Sequence, residues 1–266
     1  MSYFFPRLAL ACGLFIASVA NAAKAPPPVV HLTVLSAGGI MGAMQAIAPE
    51  YEKATGVKLV LEAAPPRGQA AEAIPARLAR QEPADVVLLA GATLDKLVYQ
   101  GQVEKNSRVD LGKSFIAMAV RQGAPHPDIG SMEAFRQTLL DAQSLAYSDS
   151  SSGIYLSHLL FPRMKLQAQL KDKSLTVPEG PVGEVIARGE AQLGFQQLSE
   201  LKPVAGIDIV GLIPDQAQQM TLYSAAVVSR SGYPQQAQAL LDYLLTAPAQ
   251  KAIEQSGLKP VKHPHG

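Results

Sequence analysis

Apolar and polar positions along the chain follow two regimes. From Leu8 to about Val19 the side chains are apolar almost without interruption; from residue 31 onward, short apolar runs alternate with stretches in which apolar residues recur every three to four positions. HLTVLSAGG, closing on Gly38-Gly39, has strand composition, and MGAMQAIAPEYEKATG carries helical spacing and stops at Gly56. The unit then repeats. VKLVLEAAP predicts a strand and GQAAEAIPARLARQ a helix, followed by ADVVLLAG as a strand and ATLDKLVYQGQV as a helix. Further strands are expected in FIAMAVRQGAP, SLAYSD, AQLGFQQ, GIDIVGLIP and TLYSAAVVS. Helical segments are expected in SMEAFRQTLLDAQ, GIYLSHLLFPRMKLQAQL, EVIARGE and PQQAQALLDYLLTAPAQKAIEQSG, with Pro162 kinking or ending the second of these. Such alternation argues for α/β lobes with mainly parallel sheets and helices on both faces. Two lobes fit the order, with the chain crossing near 115–120 and again near 221–229. Residues 31–120 with 215–262 would then form a discontinuous first lobe, and 121–214 the second.

The first regime reads as an export signal. Arg7 precedes the apolar stretch and Ala20 and Ala22 provide an A-x-A site, so residues 1–22 are expected to be removed after Ala22. Cys12, the chain's single cysteine, would leave with them, and the mature protein would have neither a disulfide nor a thiol nucleophile. Anchoring through a lipid on Cys12 fits less well, because the apolar stretch runs on past it. Of 23 basic and 22 acidic residues only Arg7 lies in the segment, so the mature chain is formally neutral and offers no polybasic surface for nucleic acid. No later apolar run has the length of a membrane span. The expected product is a soluble periplasmic protein without membrane insertion.

Three turns lie at the carboxyl ends of expected strands: SAGGIMG at 36–42, APPRGQ at 64–69 and SDSSSGIY at 148–155. Open α/β sheets gather ligands at those ends. Each turn opens a helix whose free N–H groups and positive dipole end attract an anion. Ser36, Gly38 and Gly39 in the first turn, and Ser150, Ser151, Ser152 and Gly153 in the third, could supply donors and close backbone approach. Arg67 in the second could grip a carboxylate through two parallel hydrogen bonds. Taken one at a time, these are ordinary cap and turn residues; their position on the same side of the sheets makes an anion site the stronger reading. The histidines add little. His263 and His265 sit in a short terminal H-P-H, and His158 lies on a helix beside Leu159 and Leu160. No metal-ligand spacing is present, and neither a metal nor an organic cofactor is expected.

The order VLSAGGIMGAM, the turn at 64–69, PADVVLLAG, LAYSDSSSGIY and RGEAQLGF resembles periplasmic solute-binding proteins of the molybdate-binding type over roughly residues 31–260. The resemblance implies the type II periplasmic-binding-protein fold, two α/β lobes closing on a small anion, and delivery to an ABC importer. Two departures bear on the ligand. Where that family offers serines in its first two turns this chain has Gly39 and Pro65-Pro66-Arg67, and where it places a tyrosine after the L-G block this chain has Gln197. An arginine suits a larger planar carboxylate better than a tetrahedral dianion. The superfamily includes an aconitate isomerase branch, similar in size, signal segment and altered turns, that interconverts trans- and cis-aconitate without cofactor. That chemistry needs a base, for which Asp149, Tyr155, Glu179 and Glu184 are the candidates. A non-catalytic importer receptor for a di- or tricarboxylate, or for molybdate or tungstate, is the alternative.

Overall fold

A computed structural model of the protein describes Met1 and residues 29–66, 71–178 and 180–261. The expected signal segment with Cys12, the arginine at 67, the glutamate at 179, and the histidines at 263 and 265 lie outside the described residues.

The first sheet has the order β11-β4-β10-β3-β1-β2, and the second β7-β6-β8-β5-β9. Strands β1 (His31–Ser36), β2 (Lys58–Ala63) and β3 (Val86–Ala90) are parallel, as are β6 (Leu145–Ser148), β7 (Ser174–Val177) and β8 (Leu193–Gln197). These parallel cores are narrower than the mainly parallel sheets expected. Antiparallel strands complete them, and the cause is the crossing itself. β4 (Val109–Ser114) runs toward the other sheet and hands the chain over at Phe115 to β5 (Ile116–Arg121), which therefore runs against β8. β9 (Ile207–Leu212) returns the chain through residues 213–220 to β10 (Thr221–Val227), which runs against β3. β5 thus belongs to the second sheet, although it falls within the span expected for the first lobe, and the return precedes 221 rather than following it. A short β11 (Lys259–Pro260) pairs with β4.

The helices follow the apolar spacing. In α1 (Gly38–Thr55), Ile40, Met44, Ile47 and Tyr51 fall on one face and are at most 3% exposed. Gly56 ends the helix in the left-handed region at φ 73°, which a glycine adopts at little cost. The next expected helix shrinks to α2 (Ile74–Ala79), with Pro75 in its first turn, where a missing N–H costs no helical bond. α3 (Gly91–Tyr99) and α4 (Met132–Asp141) match their patterns. Pro162 sits beside the end of the helix, as expected: α5 (Ser151–Tyr155) continues through a π-helical turn at Leu156–Leu160 into α6 (Phe161–Arg163), which stops one residue past the proline. The widened turn lies directly before the proline, whose ring crowds the turn that precedes it. Lys165, at φ 57°, then stops the helix ahead of α7 (Gln167–Lys171). Next come α8 (Val182–Ala187), α9 (Leu198–Leu201), α10 (Pro234–Leu244) and α11 (Ala247–Gln255). Strands β4 and β7 and helix α9 had no clear sequence signal: VDLGKS mixes charge and glycine, and the other two are four residues long.

Each sheet has its own core. Leu35, Leu88, Leu89, Leu94 and Leu240 are among those around the first, and Phe135, Phe195, Leu145 and Leu160 among those around the second. The two crossings are knitted together by glutamine amides. Gln218 Oε1 accepts from the Ile116 N–H at 3.0 Å while its Nε2 donates to the Ile116 carbonyl at 2.7 Å and the Ile213 carbonyl at 3.2 Å. Among the described residues no helix is long and apolar enough to cross a membrane.

Candidate functional site

Because β1 and β2 are parallel and end in register at Ser36 and Ala63, the turns after them leave the first sheet on one edge. β6 and β8 are likewise parallel neighbours, so the serine turn and the start of α9 leave the second sheet together. α9 closes the gap between the two sheets. Ser199 Oγ donates to the Gly39 carbonyl at 2.6 Å, and the Lys202 ammonium reaches the Gln255 carbonyl at 2.6 Å. The C-terminal edges of both sheets therefore meet at the amino end of α1.

That end of α1 carries no side-chain cap and no acid in its first turn. Its N–H groups keep their attraction for an anion. Two side chains from elsewhere fill the space the glycines leave. A Cβ on Gly39 would fall 2.0 Å from the Tyr223 hydroxyl oxygen, and one on Gly38 would fall 2.7 Å from Glu200 Oε1. Tyr223 arrives on β10 from the same sheet and Glu200 on α9 from the other. The Gly38-Gly39 pair is thus the clearance that lets a phenol and a carboxyl approach one helix end.

Glu200 is the unusual acid of the molecule. Burial pushes its carboxyl up to about 7, against the opposing pull of the Gln196 side chain and the Gln197 backbone N–H. Protein surrounds the carboxyl, while the residue as a whole keeps partial solvent access. The bond to the Gln197 N–H gives it an ordinary structural duty as well, since a glutamate three residues into a helix reaches back to the cap in this way. Tyr223 is 5% exposed, and burial together with the Glu200 charge raises its ionisation well above the usual phenol range, so it stays a donor.

The other expected site residues divide. Ser36 is fully buried and its hydroxyl turns back on the Ala37 carbonyl at 3.1 Å. In the serine turn, Ser148 Oγ lies 2.7 Å from Ser150 Oγ and 3.5 Å from Ser152 Oγ, while Ser151 is half-buried. Gly153 has no alternative: a Cβ there would sit 1.6 Å from the Ser148 carbonyl oxygen. Gln197 is 2% exposed, its Oε1 accepting from Ser114 Oγ at 2.6 Å and its Nε2 donating to Thr221 Oγ1 at 3.2 Å, so it ties the end of β4 to the start of β10. Tyr155 donates to the Ala217 carbonyl at 2.9 Å and accepts from Arg163 at 3.2 Å, which commits its phenol to the return crossing. Glu184 faces solvent, 3.8 Å from Arg188. Asp149 is exposed, and its backbone N–H donates to the Val177 carbonyl at 3.2 Å. His158 is exposed and bonded to Ser157. Of the four base candidates, then, the two acids described stand in solvent and the phenol is engaged elsewhere. Glu200 and Tyr223 were not singled out by sequence; LSEL and TLYSAAV carry no motif, and only the glycine pair hinted that something must come close.

No three His, Cys, Asp or Glu side chains among the described residues are placed to share a metal ion. A surface cavity of about 410 Å³ lined by Asp128, Thr138, Gln192 and Leu193 opens at the start of β8, the edge opposite these turns.

Residues 32–259 match the family model described as bacterial extracellular solute-binding protein. The chain is 66% identical over 259 residues, 97% of its own length and 98% of the other's, to an aconitate isomerase from a Pseudomonas species. Its fold is similar to the Azotobacter vinelandii periplasmic molybdate-binding protein, with a TM-score of 0.68 at 19% identity over 87% of this chain and 100% of that one. A substrate-binding domain of a putative molybdenum ABC transporter from Clostridium difficile gives 0.66 at 21% identity over 88% and 100%.

Proposed function

Because this chain belongs to the bacterial extracellular solute-binding protein family, we propose that it uses the family's cleft as an enzyme, interconverting trans- and cis-aconitate. The observation that carries the reading is the 66% identity to an aconitate isomerase along nearly the whole of both chains. The α1 end supports it chemically: uncapped N–H groups suit a carboxylate, and a phenol that stays protonated can meet charge that builds during the reaction. In the same proposal residues 1–22 direct export and are cleaved, the mature protein works in the periplasm, and the ligand is a tricarboxylate held between the lobes. Arg67 would clamp one of its carboxylates, with Ser151 and the α5 N–H groups on another.

Purified mature protein incubated with trans-aconitate should form cis-aconitate, followed by chromatography, with no metal or organic cofactor added. Tight binding of aconitate or citrate without interconversion would return the protein to the carboxylate receptors of an importer. Binding of molybdate alone would return it to the oxyanion receptors.

A further inference from the structure

Resting on the aconitate reading, we propose that Glu200 is the residue that carries the proton across the substrate, with Tyr223 donating a hydrogen bond to the charge formed on the way. The reaction moves one proton within a three-carbon allylic unit. The C–H bond of the methylene breaks and its electron pair becomes the new C=C. The old C=C pair moves to the far carbon and into the attached carboxylate, and the proton then bonds to that carbon. Nothing is oxidised or reduced, and one base within reach of both ends is sufficient.

Three features of the molecule single out this carboxyl. It stands at the N-terminal end of α1, where a Cβ on Gly38 would come within 2.7 Å of its oxygen, and the uncapped helix end beside it can hold a substrate carboxylate. The Tyr223 hydroxyl occupies the neighbouring clearance over Gly39, so base and donor flank the same point. Finally, its proton affinity near neutrality suits a group that must both take and return a proton. Among the described residues the groups facing it are the Gln196 amide and Gln197 N–H from β8 and Tyr223 from β10; of these Tyr223 titrates, and burial moves that ionisation up and away.

The test compares wild type with Glu200→Gln, whose amide keeps the size of the side chain and the bond to the α9 cap. In D2O, the wild type should interconvert aconitate and exchange its methylene protons, read by proton NMR. Glu200→Gln should lose about 10²–10⁴-fold in both, while calorimetry shows aconitate affinity unchanged within a few-fold. Tyr223→Phe should lower kcat by about 10–100-fold, a smaller effect because one neutral donor is removed. If Glu200→Gln fails to fold, Glu200→Asp provides the comparison: it keeps the carboxyl but withdraws it, and turnover should fall with affinity retained. An active Glu200→Gln, or loss of affinity in step with turnover, overturns the role of Glu200 and leaves the aconitate reading standing. A wild type that exchanges and interconverts nothing overturns both.

Discussion

The two strand-to-helix turns that the sequence makes most conspicuous behave in opposite ways. Around Ser148–Gly153 the polar side chains largely answer one another: three hydroxyls share hydrogen bonds inside the turn, and the glycine is required by the turn's own carbonyl. At Gly38-Gly39 the local hydroxyl, Ser36, turns back on the Ala37 carbonyl, and the space is taken by Tyr223 from β10 and Glu200 from the other sheet. A cluster of polar residues in sequence can thus be self-sufficient, while a pair of glycines can mark where the fold brings in chemistry from far along the chain.

Single methyl groups break this comparison most sharply. Gly153→Ala should be the worse of the pair, costing about 3 kcal/mol or more in urea unfolding, because the obstacle is backbone and the start of α5 must move. Gly39→Ala meets a side chain instead and should cost about 2 kcal/mol. Adding Tyr223→Phe should restore only part, since the ring carbon is still 2.5 Å from the added methyl.

Glu200 sharpens it through pH. Its folded-state pKa of about 7 lies above the ordinary glutamate value, so the folded protein binds a proton more tightly than the unfolded chain. The resulting stability is fully present below about pH 4.5 and is lost as pH rises through about 7, a change on the order of 3 kcal/mol. Urea unfolding at pH 5 and 8.5 should show that difference in wild type beyond whatever remains in Glu200→Gln.

In the same family of tests, Arg67→Ala should weaken aconitate binding by about 2–4 kcal/mol in calorimetry, with lysine restoring part. Gln197→Ala should cost about 2 kcal/mol of stability, since it leaves Ser114 without its buried acceptor and unties Thr221. The smallest effect belongs to Ser151→Ala, about 0.5–1.5 kcal/mol of ligand affinity, because the helix N–H groups remain.

Much of the fold was legible before any coordinates. Ile40, Met44, Ile47 and Tyr51 announce a helix by spacing, VVLLA announces a strand by its unbroken apolar run, and the alternation of such segments announces two α/β lobes. Pairing was less legible. The antiparallel sense of β5 and β10 comes from where the chain crosses, and VDLGKS becomes a strand only because β10 and β11 lie on either side of it. At the site, the turns at the carboxyl ends of the strands could be read because glycine, serine and helix starts are local properties. The functions of Gln197 and Tyr155 could not be, since each depends on a partner more than fifty residues away, Ser114 for the first and the Ala217 carbonyl for the second. Glu200 shows the limit most clearly. In sequence it is one glutamate among many in an unremarked LSEL, with an ordinary affinity for protons. Its placement where α9 packs against the amino end of α1 removes the water that would stabilise its charge, and desolvation is a property of the assembled surroundings that no neighbouring residue encodes.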